Sequence, residues 1–191
     1  IGVRLVGSEM CIRDRHISEE ITPLLKKIKI EEKDIKAYYR NNPEYRTSQI
    51  LLRLRAVPSQ DEVAKALEQS LKIYNELQKD SKKFEAYARK FGQTSTAQAG
   101  GDLGYQPRTR LSAEYFEAIK GKRKGSITKP FRSQYGIHIV KVTGEKTFKQ
   151  IDKKLYKKIV YDIKRDQILE KYFASKRKSA KIKINTKNLK L

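Results

Sequence analysis

One stretch near the middle of this 191-residue chain, Ala99-Gly100-Gly101-Asp102-Leu103-Gly104-Tyr105, restricts the possible folds more than any other. Three glycines within five positions mark a backbone that takes positive φ or approaches another segment closely, conditions that a Cβ resists. A second stretch answers it. Ser133-Gln134-Tyr135-Gly136 turns at Tyr135-Gly136 and leads into a strand in which Ile137, Ile139 and Lys141 alternate with His138, Val140 and Val142. One of the chain's two histidines therefore lies within a mostly apolar strand. The glycines do not read as a phosphate cradle, because neither G-x-G-x-x-G nor a Lys-Ser/Thr ending is present.

Around these stretches the periodicity is mixed. Thr47 to Leu54 alternates, with Ile50, Leu52 and Leu54 on one face and Gln49, Leu51 and Arg53 on the other, and is predicted as the first strand. Ser59 to Asp61 caps a helix whose core face is expected to carry Val63, Leu67, Leu71, Tyr74 and Leu77; Phe84, Tyr87, Ala88 and Phe91 mark a second. Ser112 to Ile119 reads as a short helix, Gly121 to Gly125 as a basic turn, and Ser126 to Pro130 as a short edge strand. Upstream, Thr22-Pro23 opens a short helix and Glu31 to Asn41 forms another, stopped by Asn42-Pro43. Downstream, Phe148, Ile151, Leu155, Ile159 and Ile163, continued by Leu169, Tyr172 and Phe173, describe a long amphipathic helix, and Ala180 to Leu191 alternates like a strand. The lead Ile1 to Arg15 has no clear period, is similar to a translated sequencing-adapter scar, and is set aside as non-native.

Charge narrows the choice of partners. With 44 Lys+Arg against 22 Asp+Glu the formal net charge is +22, and from Lys146 onward 16 basic residues face 4 acidic ones. Such a balance favours nucleic acid, anionic membrane or acidic protein partners. No nucleic-acid motif and no interleaving of aromatics with arginines is visible, so nucleic acid is the weakest of the three. The basic tail is either a solvated helix face or a surface attracting acidic clients or membrane headgroups. One Cys and two distant His make neither a disulfide framework nor a metal site, and no apolar run is long enough to span a membrane.

The two central motifs together resemble the parvulin family of peptidyl-prolyl isomerases, in which a GGDLG loop and a final G-x-H-I-x-K-V strand recur. The resemblance covers Arg46 to Glu145. The stretch Glu31 to Arg46, EEKDIKAYYRNNPEYR, is similar to the helix leading into that domain in SurA- and PrsA-type foldases, and the long basic helix with its terminal strand resembles their C-terminal part. The resemblance implies an α+β fold: a four-stranded antiparallel sheet covered by helices, with flanking chaperone-type helices. The expected organisation is a helical segment over 16–45, the isomerase domain over 46–145 and a basic helix and strand over 146–191. Carried over position by position, His138 matches the second of the family's paired histidines, and Ser133 a small polar position beside it. Gln49, in Thr47-Ser48-Gln49-Ile50-Leu51, stands where the first histidine is usual. Thr94 falls near the Cys or Asp beside the substrate amide. Leu111 and Tyr115 match the Met and Phe of the proline pocket; a one-residue gap would substitute Phe116 for Tyr115.

The implied function is prolyl isomerisation and chaperoning of exported proteins, acting without a cofactor on extended, unfolded clients containing Xaa-Pro. The alternative is a catalytically weak or inactive domain that binds clients through the same pocket, and Gln49 is the residue that divides the two. The resemblance also implies a periplasmic or otherwise extracytoplasmic location, with any export signal lying ahead of His16.

Overall fold

A computed structural model describes residues 17–179. The lead Ile1 to Arg15 and the strand expected at Ala180 to Leu191 lie outside the described residues. The chain divides into two compact units, one formed by residues 1–36 with 152–191 and the other by residues 37–151.

The second unit is built on a four-stranded antiparallel sheet. Its strands are β1 (Tyr45–Arg53), β2 (Asp102–Gln106), β3 (Phe131–Ser133) and β4 (Gly136–Glu145), in the spatial order β2-β1-β4-β3. Between β1 and β2 run helices α3 (Gln60–Lys79) and α4 (Phe84–Phe91), and between β2 and β3 runs α5 (Ala113–Ile119). In the chain, α1 (Thr22–Lys26) and α2 (Glu32–Asn41) precede the first strand, and α6 (Lys153–Ser179) follows the last. The boundary between the two units falls within α2.

The central strands β1 and β4 pair over their whole length, with Leu51 opposite His138 and Gln49 opposite Val140, and a bulge at Arg46/Thr47. Both of their faces are covered. On one, Ile50 and Ile139 pack with Ile73 and Leu77 of α3 and with Phe84 and Ala88 of α4. On the other, Tyr45, Val140 and Val142 pack with Tyr115, Phe116 and Ile119 of α5. Two-sided cover explains why Ile50, Leu51 and Leu52 are buried in succession.

The glycine stretch leads from Asp102 directly into β2, which pairs with β1. Two expectations are corrected. The edge strand is Phe131–Ser133 rather than Ser126 to Pro130. The Ser126 to Thr128 backbone does bond to β4, with Thr128 N–H donating to Val140 O at 2.8 Å and Val142 N–H donating to Ser126 O at 2.9 Å. It forms only an isolated bridge, Ile127 to Lys141, and the ladder resumes beyond Pro130, which has no N–H to give. Second, the core face of α3 is shifted: Leu77 is buried and Tyr74 packs beside it as expected, but Ser70 and Ile73 complete the buried row, while Leu67 and Leu71 are exposed. Ser70 is buried without an orphaned hydroxyl, because its Oγ donates to Leu67 O at 2.7 Å. The expected cap of α3 is a full capping box: Ser59 Oγ accepts from Glu62 N–H at 3.2 Å and Glu62 Oε2 accepts from Ser59 N–H at 2.7 Å.

Entry to and exit from this unit are tied together. Lys146 Nζ lies 2.6 Å from Glu44 Oε1, Lys146 N–H donates to Glu44 O at 3.0 Å, and the Tyr39 hydroxyl donates to Lys146 O at 2.6 Å. In the helical unit α6 begins at Lys153, so Phe148 and Ile151 precede it; its buried residues are Tyr156, Ile159 and Val160, whereas Leu155 and Phe173 are exposed.

Candidate functional site

The site lies on the α5 face of the sheet, where the strand alternation of β1 puts Thr47, Gln49 and Leu51 and that of β4 puts His138 and Val140. His138 is 4% exposed, and both of its ring nitrogens are bonded. Nδ1 lies 3.2 Å from Gln49 Oε1 and Nε2 lies 2.6 Å from Ser133 Oγ. With the amide oxygen of Gln49 facing it, Nδ1 carries the proton and donates, and Nε2 accepts from the Ser133 hydroxyl. Ser133 Oγ also accepts from Tyr135 N–H at 3.0 Å, which fixes the turn into β4.

Aromatic rings complete the enclosure. Phe131 stacks on the imidazole at 5.2 Å and 11°, and Tyr115 meets it edge-on at 5.7 Å and 89°. The Tyr115 hydroxyl is paired with Thr47 Oγ1 at 3.0 Å in the interior. Burial pushes the Tyr115 hydroxyl pKa far up, and the bond to Thr47 only partly opposes this, so the phenol stays neutral. Burial likewise pulls the His138 imidazole down to about 4; the Glu114 carboxylate acts the other way and does not overcome it. At neutral pH the centre of the site is thus an uncharged chain of hydrogen bonds.

The glycine loop positions Gln49 from behind. Gly101 has φ +78°, and its carbonyl accepts from Gln49 N–H at 2.9 Å. A Cβ on Gly101 would run into the Gln49 carbonyl oxygen, so close backbone approach is the reason for glycine here. Asp102 then locks the start of β2: Arg46 Nη2 donates to it at 2.6 Å and Gly104 N–H at 3.0 Å, and the Arg46 bond is the main cause holding its carboxyl below the usual range.

Above His138 a cleft of about 300 Å³ opens, lined by Gln49, Leu51, Arg53, Thr94, Ser95, Thr96, Leu103, Arg110, Leu111, Ser112, Tyr115, Tyr135 and His138. Thr94 reaches it because Gln93 pins its loop to β1: Gln93 N–H donates to Leu51 O at 2.9 Å and Gln93 Oε1 accepts from Arg53 N–H at 2.7 Å. Thr94 Oγ1 pairs with Thr96 Oγ1 at 3.1 Å. Leu111 arrives just before Ser112, which caps α5, and its carbonyl accepts from Arg108 Nη1 at 2.8 Å.

Gln49, Thr94, Leu111, Tyr115 and His138 are therefore brought to one cleft, with Ser133 directly beneath His138. Phe116 is not. It is 1% exposed, packed on Tyr45 in the core with the Arg108 guanidinium 4.9 Å from its ring, so the ungapped alignment with Tyr115 describes the cleft. Sequence reasoning left out Leu51, Leu103, Arg110, Tyr135 and the stacking ring of Phe131. The alternation that grouped Gln49, Leu51 and Arg53 carried the signal for Leu51; no pattern singled out Phe131, which sits beyond the expected strand. Among the described residues no group of three His, Cys, Asp or Glu could hold a metal ion.

Residues 50–144 match the Rotamase family, described as a PPIC-type PPIase domain. Among curated proteins the chain is 32% identical to the foldase protein PrsA of Caldanaerobacter subterraneus over 82% of this chain and 49% of that protein. It is 36% identical to the chaperone SurA of Pseudoalteromonas translucida over 53% of this chain and 23% of that one. The chain thus spans about half, or less, of the length of these relatives. Among solved structures, the peptidylprolyl isomerase PrsA of Bacillus anthracis superposes with a TM-score of 0.53 at 28% identity, covering 81% of this chain and 67% of that one. The sheet, the glycine loop behind Gln49 and the cleft over His138 thus belong to a PPIC-type peptidyl-prolyl isomerase domain of the parvulin family.

Proposed function

We propose that the cleft takes an Xaa-Pro segment of an extended client polypeptide and accelerates its cis-trans isomerisation, as part of an extracytoplasmic foldase. The single observation carrying this reading is the uncharged Gln49-His138-Ser133 chain under an open cleft with apolar walls of Leu51, Leu103, Leu111 and Tyr115. Rotating an imide breaks no bond, but crosses a barrier of about 18–20 kcal/mol, in which the amide loses resonance and its oxygen loses negative charge. A site that excludes water, covers the ring with apolar groups and presents neutral polar atoms favours that less polar state over the planar one. A thousandfold acceleration asks for only about 4 kcal/mol of such preference.

In this reading Leu111 and Tyr115 take the proline ring, Thr94 lies beside the amide, and His138, positioned by Gln49 and Ser133, holds the floor of the cleft in one geometry. Gln49 preserves a hydrogen bond to His138 and cannot share a proton with it as an imidazole would. Since the reaction transfers no proton, the substitution leaves the requirement met. The helical segment 16–45 and the basic segment 146–191 would belong to a chaperone module flanking the isomerase domain of 46–145. The second reading, a client-binding domain without catalysis, would be favoured by saturable binding of a proline-containing peptide with no gain in its exchange rate. Exchange spectroscopy on a short Xaa-Pro peptide decides between them. Catalytic amounts of the chain should raise the cis-trans exchange rate, with amide shifts in Gln49, Thr94 and His138; shifts without added exchange would leave binding alone.

A further inference from the structure

The helical unit contains a groove of about 590 Å³ lined by Ile28, Lys29, Ile30, Lys154, Lys157, Lys158 and Tyr161. Three of its four lysines fall at i, i+3 and i+4 on α6, so they share one face with the half-buried Tyr161 beside them. The fourth sits between two half-buried isoleucines in the connector between α1 and α2. Carboxylates near the connector are already held: Glu31 by Lys33 at 2.7 Å, Glu32 by Lys153 at 2.7 Å and Asp34 by Lys164 at 2.9 Å. None of the four groove lysines enters an ion pair among the described residues. The connector also leaves the Lys29 and Ile30 amide N–H groups without a protein acceptor among the described residues.

We propose that this groove binds an extended peptide segment in which acidic and aliphatic side chains alternate. An extended chain turns successive side chains to opposite sides, which lays the aliphatic ones on Ile28, Ile30 and Tyr161 and turns the carboxylates to the lysine rim. Its carbonyls can accept from the connector's Lys29 and Ile30 N–H groups, as headgroup phosphates also could, so the choice of a peptide rests on the aliphatic floor beside the lysines. Lysines on flexible stems accept carboxylates at varied positions, in keeping with unfolded segments of varied sequence. The groove is remote from the isomerase cleft in sequence, and its ligand needs no proline.

The test is fluorescence anisotropy of a labelled, proline-free Glu-Val repeat peptide titrated with the full chain. Lys154→Glu, Lys157→Glu and Lys158→Glu together should weaken binding about tenfold or more. The same charge change made as Lys171→Glu, Arg177→Glu and Lys178→Glu should leave it within about twofold. A Glu-Ser repeat of equal charge should bind several-fold more weakly than Glu-Val. The corresponding Lys→Gln triple variant, checked by circular dichroism, provides a folded comparison should the Glu triple variant lose helicity. Equal losses in the two triple variants, equal binding of Glu-Ser and Glu-Val, or groove-dependent binding of phosphatidylglycerol vesicles or oligo-dT in place of the peptide would each overturn the assignment. Failure of the isomerase reading would leave all of these results unchanged.

Discussion

The neutral state of His138 has a measurable consequence in the stability of the fold. In the unfolded chain an imidazole titrates near 6.5, whereas burial between Phe131 and Tyr115 holds it to about 4. Above pH 6.5 neither state binds the proton and the full stability is present. As pH falls below 6.5 the unfolded chain takes up a proton that the folded one refuses, so stability declines until about pH 4, where both are protonated. The difference corresponds to about 3 kcal/mol over the whole window and about 1 kcal/mol already at pH 5.5. Urea unfolding of the parent and of His138→Gln between pH 7.5 and 4 isolates this share from the carboxylates, which titrate in both proteins. The parent should lose about 3 kcal/mol more than the variant. In a His16→Gln background, which leaves one imidazole, the ring resonances should move with a midpoint near 4. A midpoint between 6 and 7, or parallel pH profiles for the two proteins, would refute the buried neutral imidazole and the network built on it.

Other outcomes follow from single contacts. Tyr115→Phe leaves the buried Thr47 hydroxyl without its partner and should cost about 1–3 kcal/mol; adding Thr47→Val should recover much of that, a coupling readable in a double-mutant cycle of urea midpoints. Gly101→Ala forces a Cβ into positive φ and against the Gln49 backbone, with an expected loss of about 2 kcal/mol or more in thermal unfolding and a shifted Gln49 amide resonance; an unchanged melting curve would contradict the close approach. Glu44→Gln removes the charge held by Lys146 at 2.6 Å where residues 44 and 146 meet, and should cost about 1–2 kcal/mol, with Lys146 reaching water as a partial relief.

The sheet's centre was legible because β1 carries the apolar run Ile50-Leu51-Leu52 and β4 is apolar at Ile137, Ile139, Val140 and Val142, and the polar Gln49 and His138 set among them face each other across the site. The glycine loop was readable as a close approach, but not the segment it approaches, which is a property of the strand pairing. The face of α3 was ambiguous. Leu67 and Leu71 keep the same helical spacing as Ile73 and Leu77, and only the sheet beneath selects between them. A serine whose hydroxyl bonds to its own helix can take the buried row, while two leucines stay outside. Phe131 was missed for a related reason: one stacked ring at the start of a three-residue strand leaves no periodic trace.

The central claim, that the cleft over His138 isomerises prolyl bonds with glutamine at position 49, is tested most directly by measuring kcat/KM on one Xaa-Pro reporter peptide for the parent, His138→Ala and Gln49→His. The account predicts an active parent and a loss of about tenfold or more in His138→Ala, equivalent to at least about 1.4 kcal/mol of transition-state preference. An inert parent that Gln49→His brings to life, or a His138→Ala variant as active as the parent, would contradict it.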